Sequence, residues 1–192
     1  LFQLPGVARL ALALPRAARR RLAPWLVKIE AAFQEAYAAH SPDRASARLT
    51  AFWEHPERPR LALIGRRYLL YDDLLSADLR RYFLRAGVNV LTAADVPFAY
   101  LRPYYERVNG FYDTHREAQA FIDWAAPYVD GFISVGSFAC HPDAFQVDTL
   151  ADYARQTGKP VWTFRYDETV GQTGFTTRYE TILTFLEKER DR

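Results

Sequence analysis

The spacing of apolar residues along the chain changes character at a pair of prolines. Before them, Trp25, Ile29, Phe33 and Tyr37 recur every fourth residue with alanines between, which is the period of one helix face. Ser41-Pro42-Asp43 stops that helix. A second helical run covers Arg44 to Trp53 and ends in HPERPR, where Pro56 and Pro59 cannot continue a helix. After Pro59, short apolar runs alternate with helical ones. Leu61 to Ile64 is a strand closed by Gly65. A helix then covers about 72–86 with Leu74, Leu75, Leu79, Tyr82 and Phe83 on one side, Gly87 ends it, and Val88 to Leu91 is the second strand. The interval 97–130 is aromatic and mostly helical, with an amphipathic run from His115 to Tyr128 that presents Ala118, Phe121, Ile122 and Ala125. Gly131 to Val135 is the third strand. A helix from Phe145 to Thr157 stops at Gly158-Lys159-Pro160, Val161 to Phe164 is the fourth strand, and a closing helix covers Thr176 to Glu189.

Strands that alternate with helices call for a parallel sheet, because parallel neighbours are joined by helical crossovers. The expected fold class is therefore α/β, an open, mainly parallel four-stranded sheet in a three-layer α/β/α arrangement, with an N-terminal helical arm. Residues 1–59 form the basic helical arm and linker, and residues 60–192 the α/β domain. Ligands of such sheets gather beyond the carboxyl ends of the strands. Those ends are Gly65-Arg66-Arg67-Tyr68, Thr92-Ala93-Ala94-Asp95, Gly136-Ser137-Phe138-Ala139-Cys140-His141 and Arg165-Tyr166-Asp167-Glu168.

Composition narrows the function classes. With 49% apolar and 25% charged residues the chain is that of a globular protein. A net charge of +2 gives no field that argues for nucleic acid. The basic excess sits in residues 1–60, which hold 10 basic and 5 acidic side chains. Val7 to Leu14 is apolar apart from Arg9, but it is shorter than the roughly 20 residues a membrane span requires, and its positive charges follow it, the reverse of a secretion signal. No membrane span and a cytoplasmic location are the expectation. One cysteine in 192 residues excludes an internal disulfide. The chain has no methionine and opens on Leu1, which reads as a piece of a longer polypeptide.

The strand-end segments carry the candidate chemistry. Arg66 suits a phosphate or carboxylate, and Tyr68, Tyr71 and Tyr104 could stack on a planar ligand such as a flavin. The first segment lacks the repeated glycines of a dinucleotide site and the Gly-Lys-Ser/Thr of a phosphate loop, so no ATP site is visible. Cys140 follows a strand and precedes the helix that Pro142-Asp143 introduces, where a helix N-terminus favours the thiolate; a lone cysteine is equally a small apolar filler. The segment from Asp167 to Glu180 is dense in polar groups. It is either a clasp that fixes the last helix, with Thr176 or Thr177 as cap and Arg178 paired to a carboxylate, or part of a pocket.

Taken together, Val135-Gly-Ser-Phe-Ala-Cys140-His-Pro-Asp143, Tyr153-Ala-Arg-Gln-Thr-Gly-Lys-Pro160, Tyr166-Asp-Glu-Thr-Val-Gly-Gln-Thr-Gly174 and Thr177-Arg-Tyr-Glu180 resemble the CoA-substrate-specific enzyme activase-related family, which is similar in turn to the subunits of 2-hydroxyacyl-CoA dehydratases. Gly65-Arg-Arg-Tyr68 and Asp72 suit the same pattern, and the likeness covers roughly Leu61 to Leu186. The resemblance implies an iron–sulfur, metal-binding component, for electron transfer or as part of a dehydratase-type lyase, in which Cys140 ligates a [4Fe-4S] cluster and an acyl-CoA is the substrate. Pocket candidates are then Arg66, Tyr68, Asp72, Ser137, Asp143, Asp167, Glu168, Gly171, Gly174, Thr177, Arg178 and Glu180. A cubane cluster takes four thiolates, whereas one chain offers one and a homodimer two, so either a missing N-terminal region supplies the others, a partner subunit or solvent fills the vacant positions, or this member has lost the cluster. The alternative is a non-catalytic α/β module that docks a partner subunit or an ATP-dependent activase.

Overall fold

The structure, a computed structural model, describes residues 42–71, 77–109, 112–137, 141–166 and 173–190. The chain divides into two compact units, Leu1–Arg44 and Ala45–Arg192. The first lies almost wholly outside the described residues, and with it the helix expected on Trp25, Ile29, Phe33 and Tyr37.

Seven helices and four strands are described: α1 (Pro42–Glu54), β1 (Arg60–Gly65), α2 (Arg67–Tyr71), α3 (Ala77–Arg85), β2 (Asn89–Thr92), a 3-10 turn (Ala93–Asp95), α4 (Phe98–Tyr105), α5 (Asp113–Ala125), β3 (Gly131–Ser137), α6 (His141–Arg155), β4 (Val161–Tyr166) and α7 (Thr173–Arg190). All strand pairs are parallel, in the order β2-β1-β3-β4. Leu61 lies opposite Val90 on one side and Gly131 on the other, and Phe132 lies opposite Val161.

Side chains alternate across the sheet, and that alternation separates two cores. On the first face, Ala62, Ile64, Leu91 and Phe132 pack against Phe52 of α1, Leu101 of α4, Phe121, Ile122 and Trp124 of α5, and Leu150 and Ala154 of α6. On the second, Leu61, Leu63, Val90, Ile133, Val135, Phe164 and Tyr166 pack against Leu69 and Leu70 of α2, Leu79 and Phe83 of α3, and Phe175, Tyr179, Ile182 and Leu186 of α7. The layering is the three-layer α/β/α arrangement expected from the sequence. Phe52 is buried in the first core, so α1, which precedes the proline linker, packs on the α/β body.

Element ends moved for local reasons. A helix starts directly after β1, at Arg67, because Leu69 and Leu70 turn onto the sheet. The helix after β3 starts at His141 rather than Phe145, and Pro142 suits its first turn, where a missing N–H breaks no helical bond. Gly87, at φ 76°, ends α3 as expected: its N–H bonds the Leu84 carbonyl and the Val88 N–H bonds the Phe83 carbonyl at 2.9 Å, the paired bonds of a left-handed helix stop.

Candidate functional site

The strand order reverses direction between β1 and β3. The chain leaves β1 into α2 on the second face, and leaves β3 towards α6 on the first, which opens a crevice at the carboxyl ends of these two strands. Gly65, the last residue of β1, and Gly136, the last but one of β3, stand where a side chain has no room. A Cβ on Gly65 would come within 2.5 Å of the Val135 carbonyl oxygen, and one on Gly136 within 2.8 Å of Val147 Cβ.

Two successive arginines follow β1 and reach two different helices of the first face. Arg66 donates from Nε to Gln146 Oε1 of α6 at 3.2 Å. Arg67 holds the Glu117 carboxylate of α5 with two nitrogens. A small cleft beside that pair is lined by Gly65, Thr92, Thr114 and Phe121 among others and has room for about one or two water molecules.

Where α5 and α6 meet, the seam is polar. His115, Gln119 and Asp123 recur at four-residue intervals on α5, and His115 and Asp123 meet Thr149 and Tyr153 of α6. Tyr153 donates to Asp123 at 3.0 Å. Burial pushes the Tyr153 phenol up to about 12, with Asp123 adding to the shift, and burial also raises the Asp123 carboxyl. Thr149 Oγ1 donates to the Phe145 or Gln146 carbonyl, so at its 3.3 Å contact with His115 it accepts from Nε2. His115 Nδ1 is then a bare acceptor. It is buried and has no hydrogen-bond partner among the described residues, and the same holds for Gln119 Oε1 and Gln146 Nε2. Burial also lowers the His115 pKa.

Among the described residues, the second face has no such loose ends at its polar centre. The Tyr166 and Tyr179 hydroxyls bond each other at 3.0 Å beneath Phe175 and Phe164, and burial raises both phenols. At the end of β2, Asp95 is fully buried and takes the Thr92 N–H at 2.9 Å, the Thr92 hydroxyl at 2.8 Å, Arg80 at 3.0 Å, and Arg48 from α1. This carboxylate ties α1, α3 and β2 together.

The sequence-derived candidates divide accordingly. Arg66 and Ser137 lie at the crevice, at the ends of the paired strands β1 and β3, and Tyr68 stands half-exposed on α2. Asp143 belongs to the first turn of α6. Gly174, Thr177, Arg178 and Glu180 lie within α7, which begins at Thr173, so neither Thr176 nor Thr177 caps it. Arg178 donates to the Thr163 carbonyl at 2.7 Å and covers the Phe164 ring, so among the described residues it clasps α7 to β4. Asp72, Cys140, Asp167, Glu168 and Gly171 lie outside the described residues. The sequence reading missed His115, Gln119, Gln146 and Thr149. The signal for them was a polar stripe beside the apolar face of each helix.

A cluster site is not complete in this chain. It has one thiol where a cubane takes four, and among the described residues no group of three or more His, Cys, Asp or Glu side chains could hold a metal ion. No described helix is long and apolar enough to cross a membrane. Comparison with protein-family models, curated proteins and solved structures finds no significant match.

Proposed function

We propose that the chain is a ligand-binding component of a 2-hydroxyacyl-CoA dehydratase or activase system, working at the crevice between β1 and β3. In this reading Cys140 gives one thiolate to an iron–sulfur cluster whose other ligands come from a partner, and an acyl-CoA is the substrate of the whole assembly. What supports it is the reversal of strand order between β1 and β3: Arg66 directly follows β1, and Cys140 falls in sequence between β3, which ends at Ser137, and α6, which begins at His141. The motif likeness around Cys140 supplies the chemistry.

Anaerobic reconstitution of the full chain with iron and sulfide tests the reading. Iron that survives gel filtration, gives an EPR signal on reduction and is lost in Cys140→Ala is the expected result. No retained iron, or retention unchanged by Cys140→Ala, overturns it.

A second reading, a docking module for a partner subunit or an ATP-dependent activase, is favoured by the aromatic side chains at the same edge. Phe145 near the start of α6 is 67% exposed, Tyr112 before α5 54%, and Tyr68 on α2 48%. Exposed aromatics of this kind anchor protein interfaces. Loss of partner capture in Phe145→Ser, with iron binding intact, would favour it.

A further inference from the structure

We propose that the open edge of β4 takes an extended, acidic segment of a partner protein as a further strand of the sheet. This surface lies apart from the crevice and involves neither Cys140 nor Phe145, so the inference and the proposed function stand or fall separately.

The two edges of the sheet differ. β2 is buried along its length, and the N–H of its last residue, Thr92, is taken by the Asp95 carboxylate at 2.9 Å. β4 is partly exposed over Val161, Trp162 and Thr163 and exposed at Arg165. In a parallel pair, alternate residues turn their backbone groups to the neighbouring strand. The Phe132 N–H bonds the Pro160 carbonyl at 2.9 Å and Phe132 lies opposite Val161, so Val161, Thr163 and Arg165 are the residues of β4 that face away from β3. Of their outward backbone groups, only the Thr163 carbonyl has a partner among the described residues, the Arg178 guanidinium at 2.7 Å. A row of unpaired N–H and C=O groups is a template for another strand.

The flanks of the edge define what that strand must carry. On the second face the Trp162 and Phe185 rings stand 5.5 Å apart and Phe185 is 38% exposed, so one side of an added strand meets an apolar surface. Three cations bear on the edge: Lys159 just before β4, Arg165 on it, and Arg178 beside it. Asp148 pairs with Arg165, whereas Lys159 and Arg178 have no carboxylate partner among the described residues. An acidic segment complements that balance. A second copy of the chain would instead set its own Lys159, Arg165 and Arg178 against these.

The test is fluorescence-anisotropy titration of the full chain with dye-labelled hexapeptides, one alternating Glu with Val and a control alternating Lys with Val. The expected result is saturable binding of one Glu-Val peptide per chain, equally in Cys140→Ala, with the Lys-Val peptide bound about tenfold or more weakly. N-methylation along the Glu-Val backbone, which removes the donors a strand needs, abolishes binding. In Thr163→Pro, whose ring blocks the outward edge without breaking a bond to β3, affinity falls about tenfold or more, with thermal unfolding kept near that of the wild type. If Thr163→Pro fails to fold, the N-methylated peptide, which leaves the chain unchanged, decides. No saturable binding, binding unchanged by N-methylation, or equal binding of the Lys-Val peptide overturns the proposal. So does a dimer in light scattering that Thr163→Pro converts to a monomer, since the edge then belongs to a second copy.

Discussion

The two faces of the sheet solve the same problem in opposite ways. On the second face, Phe83, Phe164, Phe175 and Tyr179 form a cluster of rings, and the buried Tyr166 and Tyr179 hydroxyls satisfy each other. On the first, α5 and α6 meet through His115 with Thr149 and Asp123 with Tyr153, and His115, Gln119 and Gln146 each keep a buried polar atom without a partner among the described residues. Unmet buried donors and acceptors lower stability by about 1–3 kcal/mol each. Among the described residues, one face pairs the polar groups at its centre and the other keeps unpartnered ones between two helices, which separates a face that holds the sheet together from one with polar groups to spare.

That contrast is broken most directly at Phe164, 1% exposed beneath α7. Phe164→Ala should lose about 3–5 kcal/mol in urea unfolding, from lost transfer energy plus the cavity left among rings that cannot collapse onto it. A loss below about 1 kcal/mol would mean that the second face is not the stabilising one. The hydroxyl pair gives the next largest effect. Tyr179→Phe strands the Tyr166 hydroxyl and should cost about 1–2 kcal/mol, whereas Tyr166→Phe combined with Tyr179→Phe should recover much of that loss, because no orphan then remains. Additive losses would show that the two hydroxyls do not depend on each other.

Most of the architecture was legible in the apolar pattern. Leu61 to Ile64 reads as a strand because both faces are covered, Val161 to Phe164 reads as one although its first three residues at the sheet edge are only partly buried, and Gly87 marked a helix end because α3 needs a positive φ there. Helix starts were less legible. Periodicity is clear only where a helix repeatedly touches the core, so the residues of α6 before Phe145 gave little apolar signal, and in α7 a single Phe175 after Thr173 and Gly174 did not mark a helix start. The candidate site was legible only in part. Arg66 and Ser137 were named from their positions at strand ends, but their helical neighbours were not. Gln146 and His115 sit beside the apolar stripes, and nothing in one helix's sequence says that its polar flank will be buried against another's. Arg178 clasps α7 to β4, one of the two roles its segment offered, but its described partners, the Thr163 carbonyl and the Phe164 ring, are a backbone atom and a ring face, which spacing rules for charged pairs do not see.

The first face should respond to pH where the second does not. Burial holds the His115 pKa below its ordinary 6.5 in the folded chain, so the unfolded chain binds the proton first. The stability contributed by neutral His115 is full above pH 6.5 and is lost as pH falls through the folded value. Asp123 has the opposite sign. Its raised pKa stabilises the fold below the ordinary 3.8, and this contribution is lost as pH rises through the folded value. Thermal melts in an Asp123→Asn background isolate the first effect. There, unfolding temperature should fall on acidification below pH 6.5, and His115→Gln should make the fall shallower. A fall of the same steepness in both proteins would assign it to other groups.

The smallest effect is the sharpest. Gln146→Leu removes a buried amide whose Nε2 is unpartnered, at the expense of one hydrogen bond from Arg66. The variant should be more stable than the wild type by about 0.5–1 kcal/mol, since the relieved desolvation outweighs one partly exposed hydrogen bond. Urea midpoints read at an unchanged m-value measure this. Should Gln146→Leu instead lose more than about 1 kcal/mol, the amide is already satisfied by an ordered water held for structure. The polarity of the first face would then belong to packing, as it does on the second.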